Sequence, residues 1–389
     1  MSVKKEELTV PEEEFERRIR RTLEFTRDRE FDSLLIFGGP FYDRLGNFSY
    51  LTNHFPPFPT CVWTEGIKGL GYAALLLPVD SEPVMVVDTP NYRKNLVSIS
   101  DVRVTTNFVE AMEKIIVEKG MQKSRIGLVS EDIIPLKFYQ EMLQCFPGIR
   151  WENATEIVSS QRVIKSEKEI ALLKEAVQIA SEGLKEALSI VKENITENEV
   201  SAAGLSAAIR AGADFIRYLR VHSGPWSSWS TRWPPATDRI LQKGDIVCID
   251  LIGAYKGYQF DLLRTTAVGK PNPEHRNIME ASLNATQMVV ENIRTDASVE
   301  DLTEIAFDTI AKAGYERFAA GFIGHGIGLE TVEDPYLVRG AKGKLKEGMV
   351  LCVEPGIFIP EVGGSRVEQE VIVRKDGAEL ISTLEARLW

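Results

Sequence analysis

Long apolar runs are missing from this chain, and no stretch reaches the ~18 residues that a membrane-spanning helix needs. Cysteine is scarce: Cys61, Cys145, Cys248 and Cys352 are spaced too widely for a CxxC zinc knuckle or redox motif. Basic residues are outnumbered, 46 Lys and Arg against 57 Asp and Glu, which leaves a formal charge of −11. That balance argues against nucleic acid or an anionic membrane surface as the main partner. The opening MSVKKEELTVPEEE lacks the apolar core of a secretory signal. A cytoplasmic, reduced protein is the expectation.

What is present is a repeat. Residues 241–250 read LQKGDIVCID and residues 345–354 read LKEGMVLCVE, each a Leu, polar residues, Gly, an apolar strand, Cys and a carboxylate. Each copy continues through a turn to a second acid, from Asp250 to Asp261 and from Glu354 to Glu368. A hairpin turning at Tyr255-Lys256 would set Asp250 directly opposite Asp261, and one turning near Glu361 would do the same for Glu354 and Glu368. Directly opposed residues share a face, with Cβ atoms ~5 Å apart. Carboxylates so clustered repel one another and take up protons unless a cation offsets them. A site for hard or borderline divalent ions is the reading that explains both hairpins.

At 389 residues the chain has length for two or three domains at ~150 residues each. Residues 11–29 have helical spacing. SLLIFG (33–38), YAALLLPV (72–79), PVMVVDT (83–89) and IGLVS (126–130) read as strands, and PLKFYQEMLQCF (135–146) as a helix among them. Residues 1–158 are therefore expected to form an α/β domain. From there, capping boxes at Ser166/Glu169 and Thr196/Glu199 open two helices, the first running to about Asn194 and the second closing at Ala211-Gly212. Segments 275–294 and 299–313 repeat that pair. The span 159–389 reads as an internally duplicated α+β domain whose pseudo-twofold axis brings the acid hairpins together.

Of the four histidines, His325 stands out, in FIGHGIGLE, where flanking glycines permit close backbone approach. It is a candidate metal-binding imidazole. His222, before Ser223-Gly224, could point into the same centre. His275 reads as a solvated turn residue, and His54 as structural or cleft-lining. Arg366, Glu368 and Glu370 share one strand face, so alternation does not separate ligand from neighbour. Trp226, Trp229 and Trp233 crowd a Ser- and Pro-rich loop ahead of the first hairpin, suited to an apolar ring or an onium cation.

These motifs resemble the creatinase/prolidase/aminopeptidase P family. Its GD-x-V-x-x-D…GY-x-x-D-x-x-R-T-x-x-x-G pattern runs from Gly244-Asp245 to Gly269. HGIG stands at 325–328, GM-V-x-x-x-EPG at 348–356, R-x-E at Arg366 and Glu368, and YLT at 50–52. The resemblance implies a pita-bread catalytic domain behind a smaller α/β domain, and a homodimer. By position it implies two divalent ions, Mn or Co first and Zn or Fe next. Asp250 would hold one, Asp261 and Glu368 both, and His325 and Glu354 would complete the second site. Hydrolysis of a dipeptide or small amide by a metal-bridging hydroxide follows, with Glu354 and His325 catalytic and with Trp226, Trp229, Trp233, Arg366 and His222 lining the substrate.

The departures are as specific. The Pro-His pair usual after the first loop's Ser-Gly is replaced by Trp229-Ser230-Thr231-Arg232-Trp233. The His-Glu-x-Pro run after HGIG reads Val332-Glu333-Asp334-Pro335, and Leu263 replaces a hydroxyl residue. A non-peptide metalloenzyme is the alternative, either a dimethylsulfoniopropionate-type C–S lyase or a small-molecule amidohydrolase. A non-catalytic binding module is the third. Cys248 stands where the lyase would carry an extra Asp. The reading predicts weak turnover of ordinary Xaa-Pro dipeptides.

Overall fold

The computed structural model describes residues 8–40, 44–57, 59–229 and 231–387. Ser230, in the stretch that replaces the family's Pro-His pair, and residues 1–7 of the opening segment lie outside them. The chain forms two compact units, residues 10–162 and the part from residue 163 onward.

In the first unit, strands β1 (Ser33–Gly38), β2 (Ala73–Pro78), β3 (Val84–Val87), β4 (Asp101–Val104), β5 (Arg125–Val129) and β6 (Arg150–Asn153) form one sheet, ordered β4-β3-β2-β1-β5-β6. β1 is apolar and buried along its length, as a central strand covered on both faces must be. Helices α1 (Glu12–Asp28), α2 (Gly46–Thr52), α3 (Phe108–Glu118), α4 (Leu136–Cys145) and α5 (Thr155–Arg162) complete the unit. Phe108, Met112 and Ile116 of α3 pack with Phe138 and Met142 of α4 over Leu35 and Phe37.

The second unit repeats itself. Helices α6 (Glu167–Ser189) and α7 (Glu197–Ala211) precede a three-stranded sheet of β7 (Phe215–Ser223), β8 (Ile246–Tyr255) and β9 (Tyr258–Ala267). Helices α8 (Pro273–Asn292) and α9 (Val299–Lys312) precede β10 (Phe322–Gly326), β11 (Glu333–Val338), β12 (Val350–Val353), β13 (Gly356–Ile359), β14 (Gly363–Arg366), β15 (Gln369–Val373) and β16 (Ala378–Leu380). β10 pairs with β12 and β12 with β15, all antiparallel, as β7 pairs with β8 and β8 with β9. This is the pita-bread arrangement, two helix pairs backing two related sheets.

Both capping boxes form, Ser166 with Glu169 and Thr196 with Glu199. α6 ends at Ser189, short of Asn194. There the chain tightens, Val191 N–H donating to the Leu188 carbonyl at 3.2 Å, and Asn194 takes φ +68°. Asparagine tolerates that left-handed conformation, but a helix cannot run through it.

The first hairpin corrects a sequence expectation. Its turn is Lys256-Gly257, with φ +48° and +83°, the two positive values of a type I′ turn. Glycine takes the second of those positions most readily, which moves the turn one residue along. Asp250 therefore faces Leu263, and Asp261 faces Ile252, so the two aspartates are diagonal rather than opposed. They keep a common face, because a slip of two residues preserves the alternation. In the second copy the register holds: Gly356 faces Arg366 on one side and Val353 faces Gln369 on the other, bracketing Glu354 and Glu368.

Candidate metal centre

Asp250, Asp261, His325, Glu354 and Glu368 converge, all of them buried, at the centre of the second unit. Oxygens of Asp250, Asp261 and Glu368 come within 4.8 Å of one another, close enough to share a cation. His325 Nδ1 lies 2.9 Å from the Gly326 carbonyl, which can only accept, so Nδ1 carries the proton. Its Nε2 lone pair then faces the acids, 3.4 Å from Glu354 Oε1 and 3.7 Å from Asp261 Oδ2. The Phe322 ring stacks on the imidazole at 5.5 Å and holds its plane.

The electrostatics are those of an anion cage. Burial, and then the charges of Asp250, Glu354 and Glu370, push the Asp261 carboxyl well above the usual range. Glu368 is raised in the same way by burial and by Asp261, Glu354 and Asp250. Burial raises Asp250 too, but Arg220 and Arg366 oppose it. For Glu354 burial is overcome by the Arg366 guanidinium, and its carboxyl falls below the ordinary value. The cage fits divalent metal. Asp250 Oδ1 and both carboxylate oxygens of Glu368 are buried with no hydrogen-bond partner among the described residues. Buried polar atoms rarely stay so unless an ion or water completes them. Four carboxylates and one imidazole suit borderline ions. The Cys352 thiol nearby is pushed far up by burial and by the acids, so it stays protonated.

Arg366 donates to Glu354 Oε2 at 2.6 Å, and Thr265 fastens the Arg366 backbone through both its N–H and its carbonyl. This makes Arg366 the partner of a candidate ligand. The structure adds residues that sequence reasoning passed over. Arg220 on β7 reaches Asp250 Oδ2 at 3.1 Å while stacking on Tyr218, a place its register opposite Asp250 dictates. Glu370 accepts from the Asp261 N–H at 3.0 Å, and burial lifts its carboxyl to about 8. Arg264, wholly buried, donates to the carbonyls of Glu368, Leu384 and Glu385. Register could have signalled Arg220 had β7 been recognised as a strand. Nothing in the local sequence marks the long-range contacts of Arg264.

A cavity opens beside Asp250, lined by Arg220, His222, Trp229, Leu263, Phe358 and Arg366, with Ser227 and Cys248. Trp229, His222 and Arg366 thus meet at the site. Trp226 and Trp233 do not line it; they are 51% and 90% exposed. Of the three, only Trp229 lines this cavity, although it too is 58% exposed. His275 is half-buried rather than solvated, its Nδ1 3.0 Å from the Gly244 carbonyl as α8 begins. His54 is buried in the first unit between Phe48 and Tyr92, its pKa lowered to about 4 by burial.

Residues 171–375 match the model of metallopeptidase family M24, and residues 18–164 that of the creatinase/prolidase N-terminal domain. The chain is 31% identical over 258 residues to the Xaa-Pro dipeptidase of Pyrococcus horikoshii, covering 66% of this chain and 73% of that one. It is 33% identical over 238 residues to the Xaa-Pro dipeptidase of Pyrococcus furiosus, covering 61% and 68%. The crystal structure of the prolidase from Pyrococcus horikoshii superposes with a TM-score of 0.83 at 27% identity, over 96% of this chain and all of that one. That of an Xaa-Pro dipeptidase from Bacillus anthracis does so at 0.82 and 26%, over 96% and 99%.

Proposed function

Since the chain belongs to metallopeptidase family M24, and is therefore a metallohydrolase, we propose that it hydrolyses a dipeptide or small amide of the Xaa-Pro type with two divalent ions. The observation that carries this is the buried set of Asp250, Asp261, Glu354 and Glu368 around His325 Nε2, with carboxylate oxygens left unpartnered. Asp261 and Glu368 would serve both ions, Asp250 one, and His325 and Glu354 the other. When bound, such ions supply Lewis acidity and lower the pKa of a water to near neutral, Mn or Co being the first choice. Glu354 would be the group to take up a proton from water and hand it to the leaving amine. Arg366 keeps that carboxylate oriented, and Arg220 does the same for Asp250. A cytoplasmic homodimer is part of the proposal. The exposed Trp226 and Trp233 are surface that a second chain could cover, and no helix among the described residues is long and apolar enough to cross a membrane.

One observation favours a small non-peptide amide as the second reading. Neither the exposed Val332 nor the exposed Trp233 restores the hydrogen-bond donors that the family's histidines would supply. A lyase is less well served. Cys248, where an additional acid would be needed, is a buried thiol pushed up to about 11, too weakly acidic to act as a carboxylate does. The test is purified protein loaded with Mn, Co, Zn or Fe and offered Xaa-Pro dipeptides, longer Xaa-Pro peptides, small amides and dimethylsulfoniopropionate. Release of an amine from the amides is expected. Turnover of dimethylsulfoniopropionate alone would overturn the hydrolase.

A further inference from the structure

His222 is 3% exposed, and its two ring nitrogens have different fates. Nδ1 lies 2.9 Å from the Trp229 carbonyl. A carbonyl only accepts, so Nδ1 must carry a hydrogen. Nε2 is buried without a hydrogen-bond partner among the described residues, in a side chain that lines the cavity beside Asp250. With Nδ1–H committed, the neutral ring offers a lone pair at Nε2, an acceptor awaiting a donor.

The rest of the cavity says what kind of donor fits. The guanidiniums of Arg220 and Arg366 already pair with Asp250 and Glu354, and Trp229 and Phe358 present aromatic surface. An unpartnered acceptor beside aromatic faces favours an N–H donor over an anion. Resting on the hydrolase proposed above, we infer that His222 determines specificity by accepting, at Nε2, a hydrogen bond from an amine or ammonium N–H of the substrate. The nitrogen held by the Trp229 carbonyl is already committed as a donor, so the unpartnered ring nitrogen is left to act as an acceptor. Burial of the imidazole and the nearby Arg232 and Arg220 charges keep it uncharged. A site built around one acceptor discriminates strongly against a substrate that leaves it unpaired.

The experiment is nitrogen-15 NMR of the His222 ring in the zinc-loaded protein, titrated with alanyl-proline and with propionyl-proline, which lacks the amine. A protonated Nδ1 with a bare Nε2 is expected, and the Nε2 resonance should move with alanyl-proline only. An Nε2–H tautomer, an imidazolium, or equal shifts with both compounds would overturn the inference. In kinetics on the same pair, wild type should favour alanyl-proline by about tenfold or more. His222→Phe should bring that ratio close to one, and His222→Gln, which keeps a carbonyl acceptor, should restore part of it. An unchanged ratio in His222→Phe would overturn it, as would loss of bound zinc, which would make His222 a support of the metal centre. Failure to cleave either compound would remove Xaa-Pro dipeptides from the proposed substrates while the NMR titration still decides the role of His222.

Discussion

Asp261 is the residue on which the centre turns, because its carboxylate lies within reach of Asp250 and Glu368 on one side and His325 on the other. If it bridges, Asp261→Ala should release most of both ions, whereas wild type should hold about two per chain after reconstitution. Elemental analysis reads both numbers, and full occupancy in the variant would end the bridging assignment. The second prediction at this scale concerns what surrounds the nucleophile. His222 presents an acceptor, and the family's two histidine positions hold no imidazole. Loss of one donor to a developing oxyanion commonly costs ~10²–10³ in rate. Turnover of Xaa-Pro dipeptides is therefore expected well below ~10⁵ M⁻¹s⁻¹ in kcat/KM. Values at or above that figure would show that other groups replace the histidines. Trp229→Ala should weaken binding further, while Trp233→Ala, at an exposed position, should change little.

The tryptophan loop is held from a helix N-terminus. Glu197, the first residue of α7, has no exposed surface and accepts five hydrogen bonds: the N–H and hydroxyl of Ser223, the N–H and hydroxyl of Thr237, and the guanidinium of Arg232. One carboxylate thus ties the end of β7 to both ends of the segment 223–237 that positions Trp229. Its site at the positive end of the helix favours the charge as well. Glu197→Ala would leave the nearly buried Arg232 unpaired, a change that typically costs ~3–5 kcal/mol. Urea denaturation should show that loss, and KM should rise with it. A variant as stable as wild type would mean that the loop is held by its other contacts, such as the Arg239–Asp245 pair.

Across the whole molecule, the buried acids set a pH dependence that metal should reverse. In the metal-free protein Glu370 titrates at about 8, and Asp261 and Glu368 also lie above their ordinary values. Below about pH 4 both folded and unfolded chains hold these protons, and nothing is lost. As pH rises, the unfolded chain releases them first and the folded state falls in stability. The slope is about 1.4 kcal/mol per pH unit for each such carboxyl, until pH passes its folded value. Melting of metal-free protein should therefore occur at lower temperature at pH 8 than at pH 5.5. Metal binds the deprotonated set, so its stabilisation should grow over the same range. Calorimetry with and without Mn checks both signs, and a metal-free protein more stable at pH 8 would refute the picture of an uncompensated cage.

Sequence by itself determined the duplication, the capping boxes and the identity of the acids, because each is a local pattern of residue types at fixed spacing. Ser166/Glu169 and Thr196/Glu199 form the caps their spacing implies, and the LQKGDIVCID and LKEGMVLCVE segments become related strands. The register of the first hairpin escaped by two residues, since the backbone demand of Lys256-Gly257 outweighed the symmetry suggested by the aspartates. Only tertiary structure decided which partners stand behind the cage. Arg220 reaches Asp250 from a third strand, Glu370 meets the Asp261 backbone across 109 residues of chain, and Arg264 ties down the carbonyl of Glu368. The same holds for His222, whose acceptor face follows from a Trp229 carbonyl brought to it by a folded loop. The Glu370 and Arg264 contacts run between the two half-domains across more than 100 residues of chain, and no local spacing encodes them. They are fixed by the packing of the two half-domains against each other.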